Sequence, residues 1–329
     1  MRTIKELLTY VTQKHKAGQD CKILGEGSFS VVWDIAGEAY KLTSEMTYEQ
    51  AANMRAKNNE LYKRGVKVPL INDIDIFRAN NDATMINLKR YLTRYQGDKL
   101  FKTLADFAEG FEQNAGKYEI LGIKQQKIVG INCFSEIKTN NIQLADRVSI
   151  TGKNLPDVIL EKFEPQLKEN LQFFNSIPTK HYQKFIEDGV DIMKHGLLID
   201  NVFGTNFIYA KDGFYYIDLD GLNKPRAITP VTNIFNATVE NVCEKVSTLS
   251  TGYSEELAKQ QLELFFKLWQ AIETACENPE VKNMFVEYNK KDNLFKRLYN
   301  GAINNVSAEV ALKCNEKVQN IDNCVKEMY

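Results

Sequence analysis

Leu24-Gly25-Glu26-Gly27-Ser28-Phe29-Ser30-Val31-Val32 joins two apolar, strand-forming runs through a turn built around two glycines. Glycine carries no Cβ, so the backbone here can come close to a polyphosphate, and the N–H groups of the turn can cradle its oxygens. Phe29 at the tip can shield such a site from water, and Val32 on the outgoing strand offers an apolar surface to a flat ring. A glycine turn alone has a plainer reading, a tight turn with no ligand. Outward from it, Lys22-Ile23-Leu24 and Ser30-Val31-Val32-Trp33 flank the loop, and Ala36-Gly37-Glu38 turns the chain into Ala39-Tyr40-Lys41-Leu42. Three short runs around two tight turns predict a β-meander over 22–43.

Lys41 stands between Tyr40 and Leu42 on the third of these strands. A lysine flanked by apolar residues either reaches to solvent or meets a buried anion. Residues 45–64 lack glycine and proline and are rich in Ala, Glu, Lys and Met, which predicts a helix stopped near Gly65. Its Glu49 and Glu60 are 11 residues apart, about three turns, so they share a side of the helix. Further strands are expected over 66–77 and 84–88. Residues 97–155 mix a helical pattern at 100–111 with an extended one at 127–129, and their order is not legible.

Later in the chain, Asn175-Ser176-Ile177-Pro178 predicts a helix start, with the helix running to Lys194 and ending at Gly196. His195 is expected to cap that end. Leu197-Leu198-Ile199 follows, then a loop, then Asn206-Phe207-Ile208-Tyr209, a turn at Lys211-Asp212-Gly213, and Phe214-Tyr215-Tyr216-Ile217-Asp218. This pattern predicts a β-hairpin with Asn206 opening one strand and Asp218 closing the next. Residues 254–277 and 306–328 read as helix. A strand-rich first quarter followed by a mostly helical remainder is an α+β layout.

Composition narrows the classes. Forty-two basic residues against 43 acidic ones leave no basic excess of the kind nucleic-acid binding uses. The six cysteines form no C-x-x-C pair and the three histidines are far apart, which predicts neither a disulfide framework nor a structural zinc site and fits a cytoplasmic setting. No apolar run approaches the roughly 18–20 residues of a membrane span, and the N-terminal residues lack a signal peptide's apolar core. Delivery into a host cell by a specialised route would leave little trace of this kind.

The order of glycine turn, strand lysine, asparagine and aspartate resembles the protein-kinase superfamily. Gly25 and Gly27 match its first two loop glycines, Ser30 replaces the third, Val32 matches its valine and Lys41 its phosphate-pairing lysine. The resemblance implies a two-lobed protein-kinase-like fold, with a small β-sheet lobe over 1–90 and a mostly helical lobe over 91–329. The second lobe would carry an insertion at 97–155 and a helical C-terminal extension. The inter-lobe hinge would fall at 84–89. The family's glutamate, which orients the lysine, would be Glu60 by its usual interval. ATP would lie against Gly25, Glu26, Gly27, Ser28, Phe29, Ser30 and Val32, and Mg²⁺ would be held by Asn206 and Asp218, as in the family. Ile217-Asp218-Leu219-Asp220-Gly221 is more like the ending found in small-molecule and atypical kinases, which leaves Asp220 as a competing ligand.

The catalytic base is expected at Asp200, although an ungapped alignment puts Asn201 there, and asparagine cannot take a proton. No A-P-E signature follows Gly221, which points to reduced kinases such as bacterial effectors and bacteriophage enzymes. The implied activity is ATP- and Mg²⁺-dependent transfer to a Ser or Thr hydroxyl of a protein substrate. A small-molecule kinase, nucleotidyl transfer, or a pseudokinase that acts by docking are the alternatives.

Overall fold

Asp34 and Gly37 show why the first three strands form. Gly37 takes the left-handed backbone at φ 88°, and its N–H donates to Asp34 Oδ1 at 3.0 Å, an aspartate-closed turn. The structure, a computed structural model, describes residue 13 and residues 21–27, 30–35, 37–43, 46–77, 120–132, 155–199, 206–221, 233–247 and 254–327. The expectations for 84–89, and for the parts of 97–155 at 97–119 and 133–154, lie outside the described residues.

Strands β1 (Cys21–Gly27), β2 (Ser30–Ile35) and β3 (Glu38–Thr43) form the expected meander, with Val32 opposite Lys41 and Trp33 opposite Tyr40. β4 (Ile71–Phe77) and β5 (Ile120–Gln126) complete an antiparallel sheet of order β1-β2-β3-β5-β4. Helix α1 (Tyr48–Lys63) crosses from β3 to β4. It starts on a capping box in which Thr47 accepts from Gln50 N–H and Gln50 reaches back to Thr47 N–H, and it stops before Gly65 at φ 83°. Polar side chains of α1 satisfy the backbone leading into β4. Asn58 Nδ2 donates to Pro69 O at 2.7 Å, Asn59 exchanges two bonds with Ile71, and Arg55 Nε donates to Ile71 O.

The chain divides into two compact units. The first is Met1–Gly130, Asp191–Asp200 and Tyr215–Thr229; the second is Ile131–Val190, Asn201–Phe214 and Pro230–Tyr329. The N-terminal stretch of the first unit runs to Gly130, beyond the residue 90 at which the sequence reading divides the lobes. Residues 120–126 lie between β3 and β4, and the sheet is incomplete without them. The first unit also holds β6 (Leu197–Ile199) and β9 (Leu219–Gly221), paired antiparallel with Ile199 opposite Leu219. Between them in sequence, β7 (Phe207–Ala210) and β8 (Gly213–Tyr216) form the expected hairpin, with Gly213 at φ 137° in the turn.

The second unit is mainly helical. Helix α2 (Leu155–Ser176) precedes α3 (Thr179–Lys194), whose residues to 190 belong here. The rest are α4 (Ile234–Ala237), α5 (Val239–Val246), α6 (Glu255–Ala275), α7 (Pro279–Asn289), α8 (Leu294–Ile303) and α9 (Ala308–Glu327). Asn233, Ser254, Asn278 and Asn293 each cap a helix start by accepting a backbone N–H. The core centres on α6, where Phe265 stacks on Phe295 at 4.5 Å and Trp269 meets Phe285 edge-on at 5.6 Å. Phe185 of α3 stacks on Phe214 at 4.4 Å. Among the described residues no helix is long and apolar enough to cross a membrane.

Candidate active site

Lys41 is buried, 6% exposed, in the middle of β3, with Val32 of β2 and Ile123 of β5 opposite it on either side. A buried ammonium needs an anion. Asp218 supplies one: Lys41 Nζ donates to its Oδ1. Both residues belong to the first unit. With Met54, Asn58, Ile123 and Gln125 they line a cavity of about 20 Å³. That volume holds about one water.

Asp218 reaches this position through its backbone. It is the one non-glycine residue among those described with positive φ, at 60°. Aspartate tolerates this region better than most residues, yet it still carries strain, and such residues cluster at functional sites. The strain is held from both sides. Tyr216 N–H donates to Lys67 O at 2.9 Å before it, and Leu219 pairs with Ile199 after it.

Gly25 lies opposite Val32, beside an irregularity in the β1–β2 register, and Gly27 lies opposite Ser30. A Cβ built on Gly25 would meet nothing within 4 Å, and its φ is not in the left-handed region. Neither packing nor backbone conformation requires glycine there, so the open space is available to a ligand that approaches the backbone. Ser28 and Phe29, and the side chain of Glu26, lie outside the described residues.

Glu60 is not beside Lys41. Its side chain is 63% exposed, and its Oε1 is 3.8 Å from His195 Nε2. The physical reason is helix phase. The buried residues of α1 are Ala51, Met54, Asn58 and Leu61, and Glu60 lies about 200° round from Asn58. Glu49 shares Glu60's side and is exposed as well. The side chains that α1 turns toward Lys41's cavity are Met54 and Asn58, which sequence interval alone did not single out. The buried-face spacing 51, 54, 58, 61 was the signal that could have found them.

Asn206 is half-buried in the turn that opens β7 and belongs to the second unit. Asp200 and Asn201 lie outside the described residues, and so does the side chain of Asp220, whose backbone pairs with Leu198 in β9. His195 is the helix cap expected: its Nδ1 is 2.8 Å from Asp191 O, one turn back in α3. Mg²⁺ takes hard oxygen ligands, usually one or two carboxylates with phosphate oxygens and water. The half-exposed Asp218 carboxylate fits that demand. Among the described residues no group of three His, Cys, Asp or Glu side chains converges. No protein-family model matches this chain, and no curated protein matches it.

Proposed function

We propose that this chain is a phosphotransferase of two-lobed, protein-kinase-like architecture that binds Mg²⁺·ATP and transfers its γ-phosphoryl group to a hydroxyl, most simply a Ser or Thr of a protein. The observation that carries the reading is the ion pair of the buried Lys41 with the half-exposed Asp218, two residues from the two motifs that the resemblance joins. A cation and a carboxylate held this way are the two charges that a metal–polyphosphate complex needs, one for phosphate and one for metal. The open space at Gly25 supports placing phosphates on that side of Lys41.

In this reading Lys41 donates to phosphate oxygens, and the N–H groups of residues 25–30 cradle the rest. Asp218 holds the metal, with Asn206 the second ligand expected from the sequence. Bound Mg²⁺ would neutralise charge on the transferring group. Asp200 orients the acceptor hydroxyl and accepts its proton. Rate enhancement then comes from positioning and charge complementarity. The test is transfer of label from γ-labelled ATP to a protein panel, with Asp218→Ala as control. Label that depends on Asp218 supports the reading; nucleotide binding without transfer to any protein or small acceptor contradicts it.

A second reading is favoured by one observation. Where the family has a glutamate facing the lysine, α1 presents Asn58, already bonded to Pro69 O. A chain without that glutamate can bind nucleotide and act by docking a partner, as a pseudokinase does. In that case Asp218→Asn would change nucleotide binding and leave cellular function intact.

A further inference from the structure

The cavity beside Lys41 is lined wholly by residues of the first unit, and Lys41, Asp218 and Asn58 all reach it. Met54, Ile123 and Leu219 make much of the remaining wall apolar. Asn58 is only 2% exposed. Its Nδ2 donates to Pro69 O at 2.7 Å, which fixes the amide's orientation and leaves Oδ1 as an acceptor. Among the described residues nothing donates to that oxygen. A buried amide oxygen without a donor is costly, and the cavity is where a donor can stand.

Size and charge together decide what the cavity can hold. A volume of about 20 Å³ takes one water and nothing larger. A cation there would sit against the Lys41 ammonium, and an anion against the Asp218 carboxylate. A neutral molecule that both donates and accepts suits all three groups. Water can donate to Asn58 Oδ1 and to the Asp218 carboxylate. It can accept from Lys41, whose ammonium carries three hydrogens and gives one to Asp218 Oδ1. Three such bonds are the usual number for a buried water.

We propose that this cavity binds one water that hydrogen-bonds Asn58 Oδ1 to the Lys41–Asp218 pair, so that α1 positions the pair through it. Asn58 is thus a positioning residue, one that orients the ammonium and the carboxylate without touching a nucleotide. The helix is placed for this: α1 packs on β9, which begins at Leu219 beside Asp218. The pair's part in phosphotransfer rests on the reading above; the water site does not.

Crystal structures of the nucleotide-free full chain and of Asn58→Leu, at a resolution that shows ordered waters, test the site. The unaltered chain should hold one water about 2.7–3.2 Å from Asn58 Oδ1 and from Lys41 Nζ or the Asp218 carboxylate. Asn58→Leu, close in shape but without an acceptor, should lose it. An empty cavity, a water that does not reach Asn58 Oδ1, or a water retained in Asn58→Leu overturns the proposal. NMR of the lysine ammonium groups reads the positioning, with Lys41 identified by the signal lost in Lys41→Met. That signal should shift in Asn58→Leu and stay in place in Thr47→Ala, which removes the cap of α1 and leaves the cavity's lining intact. Any other pattern overturns the positioning role. Should Asn58→Leu fail to fold, the unaltered structure decides the water and Asn58→Ala serves for the ammonium signal. Because no nucleotide is present, a chain that fails to bind ATP leaves both results standing.

Discussion

Lys41 and Asp218, 177 residues apart in sequence, form an ion pair in which the lysine side chain is 7% exposed and the aspartate 38%. The asymmetry sets the consequences of breaking it. Removing the aspartate's charge leaves the more deeply buried ammonium short of an anion, whereas removing the lysine leaves a carboxylate that water can reach.

Asp218→Asn should therefore cost about 1–3 kcal/mol of stability, discounted for the aspartate's exposure, and Lys41→Met less than about 1 kcal/mol. Denaturant unfolding of both variants checks this. Equal losses would mean that the pair is not the main charge compensation for Lys41.

The backbone at Asp218 makes a separate prediction. At φ 60° asparagine is tolerated and alanine is strained, so Asp218→Ala should be less stable than Asp218→Asn by about 1 kcal/mol. The two substitutions remove the same charge, so their difference in unfolding midpoint reports the backbone.

Gly25 separates binding from folding. Since a Cβ there meets nothing within 4 Å, Gly25→Ala should leave stability unchanged or raise it by up to about 1 kcal/mol. Nucleotide affinity should fall at least about tenfold, roughly 1.4 kcal/mol. Thermal unfolding with and without Mg²⁺·ATP reads both at once.

On α1, Glu60→Gln should change neither stability beyond about 0.5 kcal/mol nor nucleotide affinity at neutral pH, because its carboxylate faces His195 and solvent. Asn58→Ala should cost about 1–3 kcal/mol, since it strips the buried Pro69 carbonyl of its donor. A strong affinity loss in Glu60→Gln would restore the glutamate to Lys41's side.

The meander and α1 were legible because their signals are local: turn glycines, alternating apolar residues, and a helix stop at Gly65. β5 was not. Ile120-Leu121-Gly122-Ile123-Lys124-Gln125-Gln126 is a strand because β3 and β4 pair with it from distant parts of the chain. α2 went unread as well. Glu60 was misplaced because a sequence interval carries no phase, and the buried side of α1 is marked partly by a polar residue, Asn58. Nothing in the sequence announces the left-handed backbone at Asp218, which is imposed by the anchors at Tyr216 and Leu219.

The helical unit should weaken in alkali. Burial raises the thiol of Cys243 well above its ordinary value and pushes Cys276 up to about 12; burial and the nearby Glu240 raise the Tyr288 phenol. Groups with raised folded-state values contribute stability that is fully present below their unfolded values and is lost as pH rises. Stability should hold below the ordinary thiol value of 9.0 and fall progressively above it, on to about 12. Tyr288→Phe should flatten the upper part of that decline in a pH series of denaturant unfolding. Among Cys243, Cys276 and Cys314, Cys314 should react first with a thiol reagent, because the other two are buried.

The most direct test of the central claim, that Lys41 and Asp218 serve one metal–nucleotide complex, is calorimetric titration of ATP with and without Mg²⁺ into the unaltered chain, Lys41→Met and Asp218→Asn. The account predicts Mg²⁺-dependent binding in the unaltered chain, weakened at least about tenfold in Lys41→Met. It predicts that the Mg²⁺ dependence itself is lost in Asp218→Asn. No binding by the unaltered chain, or the same affinity and the same Mg²⁺ dependence in all three, would contradict it.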